Sequence, residues 1–180
     1  MGLIEAKAYL EDRGYGDRIM LFEANSATVE LAAKAAGVAP ELIAKSLTFK
    51  VEDSPVMIIC AGDGKVDNHK YKGVFGKKAT MLTREEVSAL IGHEVGGVCP
   101  FGIKDGVRVY LDEGLKRFEY VYPACGNDAS AVKLTPDELF VLSGALGWID
   151  VCKVPEALYP DWSRQGRICP AGRQGKKLCA

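Results

Sequence analysis

The sequence predicts a mixed α/β fold: a single domain with a mixed, partly barrel-like β-sheet flanked by short helices. Three observations carry this. Residues 44–51 alternate in period two, with Leu47, Phe49 and Val51 on one face and Ser46, Thr48 and Lys50 on the other. Val56-Met57-Ile58-Ile59-Cys60 is an unbroken apolar run, the pattern of a central strand buried on both faces. Short helical segments with capping signals interleave with these strands. The connections at 51–55 and 122–130 are too short for helical crossovers, so a mixed or antiparallel sheet fits better than a doubly wound parallel one.

In chain order, residues 2–13 carry apolar positions at helical spacing (Leu3, Ala6, Tyr9, Leu10) with Gly14 as a stop. Arg18–Phe22 reads as a strand. Asn25–Thr28 offers capping oxygens for a helix from Val29 to Ala36, ended by Gly37. Pro40 opens a short helix, and strand 44–51 turns through Glu52-Asp53-Ser54 into strand 55–61. Gly62-Asp63-Gly64 turns the chain again, before a short helix within 66–74 and a strand expected at 77–82. Thr83-Arg84-Glu85-Glu86 fits a capping box for a helix to Ile91. Strands are expected at 107–111, 120–122, 130–134 and 148–154. Residues 112–118 read as a helical turn, and Thr135-Pro136-Asp137-Glu138 opens a helix to about Ser143 with proline at its first position.

The chain has 180 residues, enough for one substantial core, with 48% apolar and 26% charged residues. The net charge of −1 excludes a global basic field, so any RNA contact must come from a local patch. The first residues do not form a signal peptide, and no apolar run approaches a membrane span. A cytoplasmic protein with reduced thiols is therefore expected. None of the six cysteines forms a C-x-x-C pair, and His69 and His93 lack metal-ligand spacing, so no metal and no cofactor is expected. Both histidines read as surface or structural residues, and Cys60 and Cys152 as small core residues. After Pro155 the character changes. Residues 163–180 hold Arg164, Arg167, Arg173, Lys176 and Lys177 and no acidic residue, which divides the chain into a domain at 1–153 and a basic tail at 154–180.

Two places invite chemistry. Gly96-Gly97-Val98-Cys99-Pro100-Phe101-Gly102 cannot form a helix or regular strand. It reads either as a turn that serves only the fold or as a pocket whose main-chain N–H groups face a carbonyl, ester or phosphate oxygen. Lys45, among apolar neighbours, must bring its ammonium to water, a partner or an anion. Cys99 with His93 as base would be a nucleophile pair, though nothing in the sequence brings them together. Lys45 and Ser46 do not suit a Ser–Lys dyad, because adjacent strand residues point to opposite faces.

Taken together, Thr28-Val29-Glu30 with Ala32-Ala33 and Gly37, Ile43-Ala44-Lys45-Ser46-Leu47, Val95 to Gly102, Asp112-x-x-Leu115, Gly126 and Leu134 to Leu139 resemble the YbaK/EbsC family of freestanding aminoacyl-tRNA deacylases. That family is related to the editing domain inserted in bacterial prolyl-tRNA synthetases. The resemblance covers about residues 1–153. It implies hydrolysis of the ester joining a wrongly attached amino acid to the tRNA 3′ end, with proline-type tRNA as the expected substrate. Lys45 matches the family's functionally central lysine, and Gly96, Gly97 and Pro100 match its substrate loop. Thr28, Ser46, Val98, Gly102, Gly126 and Asn127 complete the substrate-binding set it implies. No enzyme-borne nucleophile is implied: water or a group of the substrate attacks. The implied partners are mischarged tRNA and an aminoacyl-tRNA synthetase, and the alternative is a non-catalytic tRNA- or synthetase-binding module of the same fold. Cys99 stands where proline is common in this loop, and the turn at Gly126 carries Cys125 and Asn127 where small polar groups are common.

Overall fold

A computed structural model of the protein describes residues 2–23 and 25–155. It begins with α1 (Leu3–Glu11), which buries Ala6 and Leu10, and a 3₁₀ turn leading into β1 (Ile19–Leu21). Helix α2 (Val29–Ala36) starts where Thr28 Oγ1 accepts the Leu31 N–H and ends at Gly37 in the left-handed conformation, as the capping residues require. A 3₁₀ turn (Pro40–Leu42) feeds β2 (Ile43–Val51), which folds back on β3 (Ser54–Ala61) in an antiparallel hairpin running from Ala44↔Ala61 to Val51↔Ser54. Then come β4 (Lys65–Val66), α3 (Asn68–Phe75), α4 (Arg84–Leu90), β5 (Arg108–Asp112) and a 3₁₀ segment (Glu113–Arg117). The described chain closes with β6 (Tyr122–Pro123), β7 (Ser130–Val132), α5 (Pro136–Leu142), β8 (Gly147–Ile149) and β9 (Cys152–Lys153).

The main sheet has the order β6-β2-β3-β5-β8. Its β2–β3 pair is antiparallel, while β2–β6, β3–β5 and β5–β8 are parallel, so the sheet is mixed. Bridges Val121↔Leu134 and Ala124↔Ala131 carry it on to β7, which pairs with β1, and the sheet curls into a half-barrel. Its two faces bury different clusters. Ala44, Met57, Ile59, Val109 and Leu111 meet α1, α4, α5, Cys99 and Phe101 on one side. Phe49, Val51, Val56, Ile58 and Cys60 meet Tyr71 of α3, Val151 and Cys152 on the other. From Val56 to Ala61 strand β3 is apolar and buried because it serves both clusters.

Two expected strands are corrected. Residues 77–82 make one bridge, Phe49↔Met81, held by Lys50 N–H to Thr80 O and Leu82 N–H to Thr48 O, and form no strand. The expected strand 148–154 is two: β8 pairs with β5, whereas β9 pairs with β4. The break has a local cause. Buried Asp112 accepts the N–H groups of Val151 and Cys152, both at 3.0 Å, and draws the chain off the sheet edge. The basic tail expected at 154–180 lies, from residue 156, outside the described residues. No helix among the described residues is long and apolar enough to cross a membrane.

Candidate active site

Lys45 is the third residue of β2 and is half-buried. It lies opposite Cys60, and Ser46 lies opposite Ile59. Those partners belong to different clusters, so Lys45 and Ser46 do point to opposite faces and form no dyad. The Lys45 ammonium donates to the carbonyl oxygen of Gly62 at 3.1 Å. Among the described residues no carboxylate pairs with it. An ammonium has three donors, so two remain for water or an anion. Gly62 is glycine for a steric reason: a Cβ there would fall 1.9 Å from Pro40 O and 2.8 Å from Val29 Cγ1. The peptide that anchors Lys45 thus rests directly on the start of α2.

The Gly-rich loop packs against the turn at 126–128. A Cβ on Gly97 would lie 2.3 Å from Asn127 Cα, and Gly96, at φ +105°, faces Ala27 and Asp128. The N–H of Gly97 is spent on Glu94 O at 3.0 Å, which closes the turn internally. Among the described residues the N–H groups of Gly96 and Val98 donate to no protein acceptor. Pro100 is buried, and Gly102 (φ +62°) presses on the Glu5 backbone. Asn127 Oδ1 accepts the Ala129 N–H and lies 2.5 Å from Ser130 Oγ, which fixes the turn. Gly126, at φ +85°, abuts Gly2 and Leu3 at the start of α1. A cavity of about 370 Å³ opens here, lined by Leu3, Ile4, Gly97 and Asn127 with Glu94 and Asp128.

Lys45 does not line that cavity, and it lies on the face of the sheet opposite the buried Cys99 and Phe101. Segment 25–29 joins the two halves. Ser26 donates through N–H and Oγ to Asp128 O, Asn25 Nδ2 donates to Asp128 Oδ2, Ala27 faces Gly96, and Val29 touches Gly62. Thr28 sits in the middle, its hydroxyl committed to capping α2. The structure therefore gathers Thr28, Gly96, Gly97, Gly126 and Asn127 around one segment, with Lys45 at its far end. Ser46 Oγ is buried and has no hydrogen-bond partner among the described residues.

Cys99 and His93 do meet, Sγ to Nε2 at 3.6 Å. The pair is sealed, however: Cys99 is 0% and His93 1% exposed. Burial pushes the Cys99 thiol well up, away from thiolate, and pushes the His93 imidazole down. His93 Nε2 lies 2.8 Å from Phe101 O, and since a carbonyl only accepts, that nitrogen carries the proton. The two residues shape the loop from beneath and cannot reach a substrate. His69 is exposed, and Cys60 and Cys152 are buried.

The sequence gives no sign of one further group. Asp63 and Arg117 form a bidentate pair, Nη2 to Oδ1 at 2.6 Å and Nη1 to Oδ2 at 3.0 Å, with side chains 10% and 4% exposed. Asp63 follows Gly62 directly, but its partner lies 54 residues away. No spacing rule links the two.

The chain belongs to the aminoacyl-tRNA editing domain family, which matches residues 23–142, more than half of its length. This agrees with the family resemblance in the sequence. A protein of Bacillus subtilis (strain 168), the uncharacterized protein YwhH, is 54% identical over 133 residues, covering 73% of this chain and 85% of that protein. The proline–tRNA ligase of Geobacillus sp. (strain WCH70) is 31% identical over 120 residues, covering 64% of this chain but only 21% of the ligase. A crystal structure of a candidate trans-editing enzyme for prolyl tRNA synthetase superposes with a TM-score of 0.76 at 32% identity, over 84% of this chain and 96% of that one.

Proposed function

We propose that the protein is a trans-editing deacylase that hydrolyses the ester of mischarged tRNA, proline-type tRNA above all, in the cytoplasm and in company with an aminoacyl-tRNA synthetase. Family membership and the likeness to a candidate trans-editing enzyme support the reaction class. The single observation that carries the site is the state of Lys45: a half-buried ammonium resting on one neutral carbonyl, with no carboxylate among the described residues to neutralise it. Such a charge is suited to a polyanionic ligand.

The reaction needs no nucleophile from the chain. A water oxygen, or a hydroxyl of the substrate that later gives way to water, bonds to the ester carbonyl carbon. The carbonyl electron pair moves onto oxygen and returns to re-form the carbonyl as the bond to the ribose oxygen breaks, and the proton given up by the attacking oxygen passes to the ribose oxygen. The products are free amino acid and tRNA with an intact 3′ end. Lys45 binds the terminal phosphate or stabilises charge developing near the ester. The N–H groups of Gly96 and Val98 are the donors suited to a carbonyl or water oxygen. One well-placed donor is worth about 3 kcal/mol of barrier. Thr28, Ser46, Gly97, Pro100, Gly102, Gly126 and Asn127 complete the substrate-binding set, and Gly97, Gly102 and Gly126 among them also seat the loop and the 126–128 turn against their neighbours.

The test is a panel of mischarged tRNAs incubated with wild type and Cys99→Ser. Release of at least one amino acid above the buffer rate, unchanged by Cys99→Ser, is the expected outcome. Loss with Cys99→Ser would transfer the chemistry to the thiol. No release from any member, with tRNA or synthetase still bound, would make the chain a binding module.

A further inference from the structure

We infer that Asp63 and Arg117 are positioning residues for Lys45: their buried ion pair fixes the peptide whose carbonyl holds the ammonium. This inference rests on the deacylase reading for its catalytic consequence, though not for its geometry. The Gly62 carbonyl belongs to the planar peptide joining Gly62 to Asp63, so its direction changes only by rotation at those two residues. Rotation on the Gly62 side is checked by contact with Pro40 and Val29 and by the Gly62 N–H directed at Glu41 O, 3.4 Å away. Rotation on the Asp63 side is checked by the two-point grip of Arg117 on the carboxylate. Gly64 N–H to Ala61 O at 3.0 Å closes the turn behind it.

Arg117 is itself held. Its Nε donates to Gly114 O at 2.8 Å, Gly114 N–H donates to Asp112 Oδ1 at 2.9 Å, and Asp112 Oδ2 takes the N–H groups of Val151 and Cys152. The grip on Lys45 is thereby referred back to the end of β5, beside the central strand β3. A buried ion pair is a poor source of stability, because apolar residues of like volume serve as well. What a guanidinium fork on a carboxylate supplies is direction. Lysine at 117 would keep the charge and lose the fork. Asparagine at 63 would keep the shape and lose the charge.

The experiment compares wild type, Arg117→Lys, Asp63→Asn, Lys45→Ala and Arg117→Lys/Lys45→Ala. The first readout is the side-chain ammonium NMR signal of Lys45, assigned by its loss in Lys45→Ala. The expected result is that Arg117→Lys and Asp63→Asn each shift or broaden that signal while other lysine signals stay in place. The second readout is single-turnover deacylation. Each variant should lose about tenfold or more in single-turnover rate at a fixed tRNA concentration, and Arg117→Lys should lose nothing further in the Lys45→Ala background. An unmoved Lys45 signal, or an equal loss with and without Lys45, would reduce the pair to a structural strap. Where wild type deacylates nothing, the reaction assignment fails and the NMR comparison alone decides the positioning. Asp63→Asn decides it where Arg117→Lys does not fold.

Discussion

Gly97→Ala tests whether the Gly-rich loop and the 126–128 turn are in direct contact. The added Cβ would stand 2.3 Å from Asn127 Cα, 2.5 Å from its N and 2.7 Å from its C. Carbon atoms attract at about 3.5–4.0 Å, so loop and turn must part by roughly an ångström. Neither side yields easily. The obstructing atoms are backbone, and the turn is tied by Asn127 Oδ1 to Ala129 N–H and by Ser26 to Asp128 O. Overpacking of this kind costs about 1–3 kcal/mol, and rigid backbone on the receiving side argues for about 3 kcal/mol. Gly106→Ala is the control. It has φ +86° with nothing within 4 Å, so it carries only the left-handed penalty of about 1–2 kcal/mol. Urea denaturation of the two variants beside wild type measures both. Gly97→Ala should be the less stable of the two, with an unchanged slope against denaturant. A Gly97→Ala protein within about 0.5 kcal/mol of wild type would refute the contact and the site built on it.

Other consequences are equally open to measurement. Asp112→Ala would strip three buried N–H groups, those of Gly114, Val151 and Cys152, of their acceptor. At about 1–3 kcal/mol per buried group left unpaired, the loss should exceed about 3 kcal/mol, read as a fall in thermal midpoint. His93 sets a pH dependence, because burial lowers its pKa from the ordinary 6.5 and the unfolded chain therefore binds its proton first as pH falls. Stability should drop as pH falls below about 6.5, and His93→Gln, which still offers a donor to Phe101 O, should flatten that drop in denaturation curves taken from pH 7 downward. Removing residues 163–180, with their five basic and no acidic side chains, should weaken tRNA binding at low salt. Equal binding by full-length and shortened chains would take the tail out of RNA recognition.

Signals that act within a few residues were legible in the sequence. The caps at Thr28, Thr83 and Thr135, the last two with glutamate at the third helical position, mark α2, α4 and α5 at their observed starts. The period-two pattern of β2 and the apolar run of β3 foretell a hairpin and a strand buried on both faces. What failed depends on groups far apart in sequence. Trp148–Val154 reads as one strand because nothing in it announces that Asp112, about forty residues earlier, will capture the Val151 and Cys152 N–H groups. Lys77–Leu82 has strand-like residues, yet it meets β2 at the single bridge Phe49↔Met81. Within the site, the loop glycines and Lys45 stand out by residue type. The Asp63–Arg117 pair, the sealed Cys99–His93 contact and the service of Asn25 and Ser26 to Asp128 exist only once the chain has folded.

The central claim is that one ammonium, that of Lys45, serves the removal of an amino acid from tRNA. Its most direct measurement is the single-turnover rate of amino-acid release by wild type and Lys45→Ala, on whichever mischarged tRNA wild type cleaves fastest. A single lost electrostatic contact of this kind is expected to slow release by about a hundredfold or more, with the variant's denaturation midpoint close to that of wild type. Equal rates for the two proteins would contradict the account.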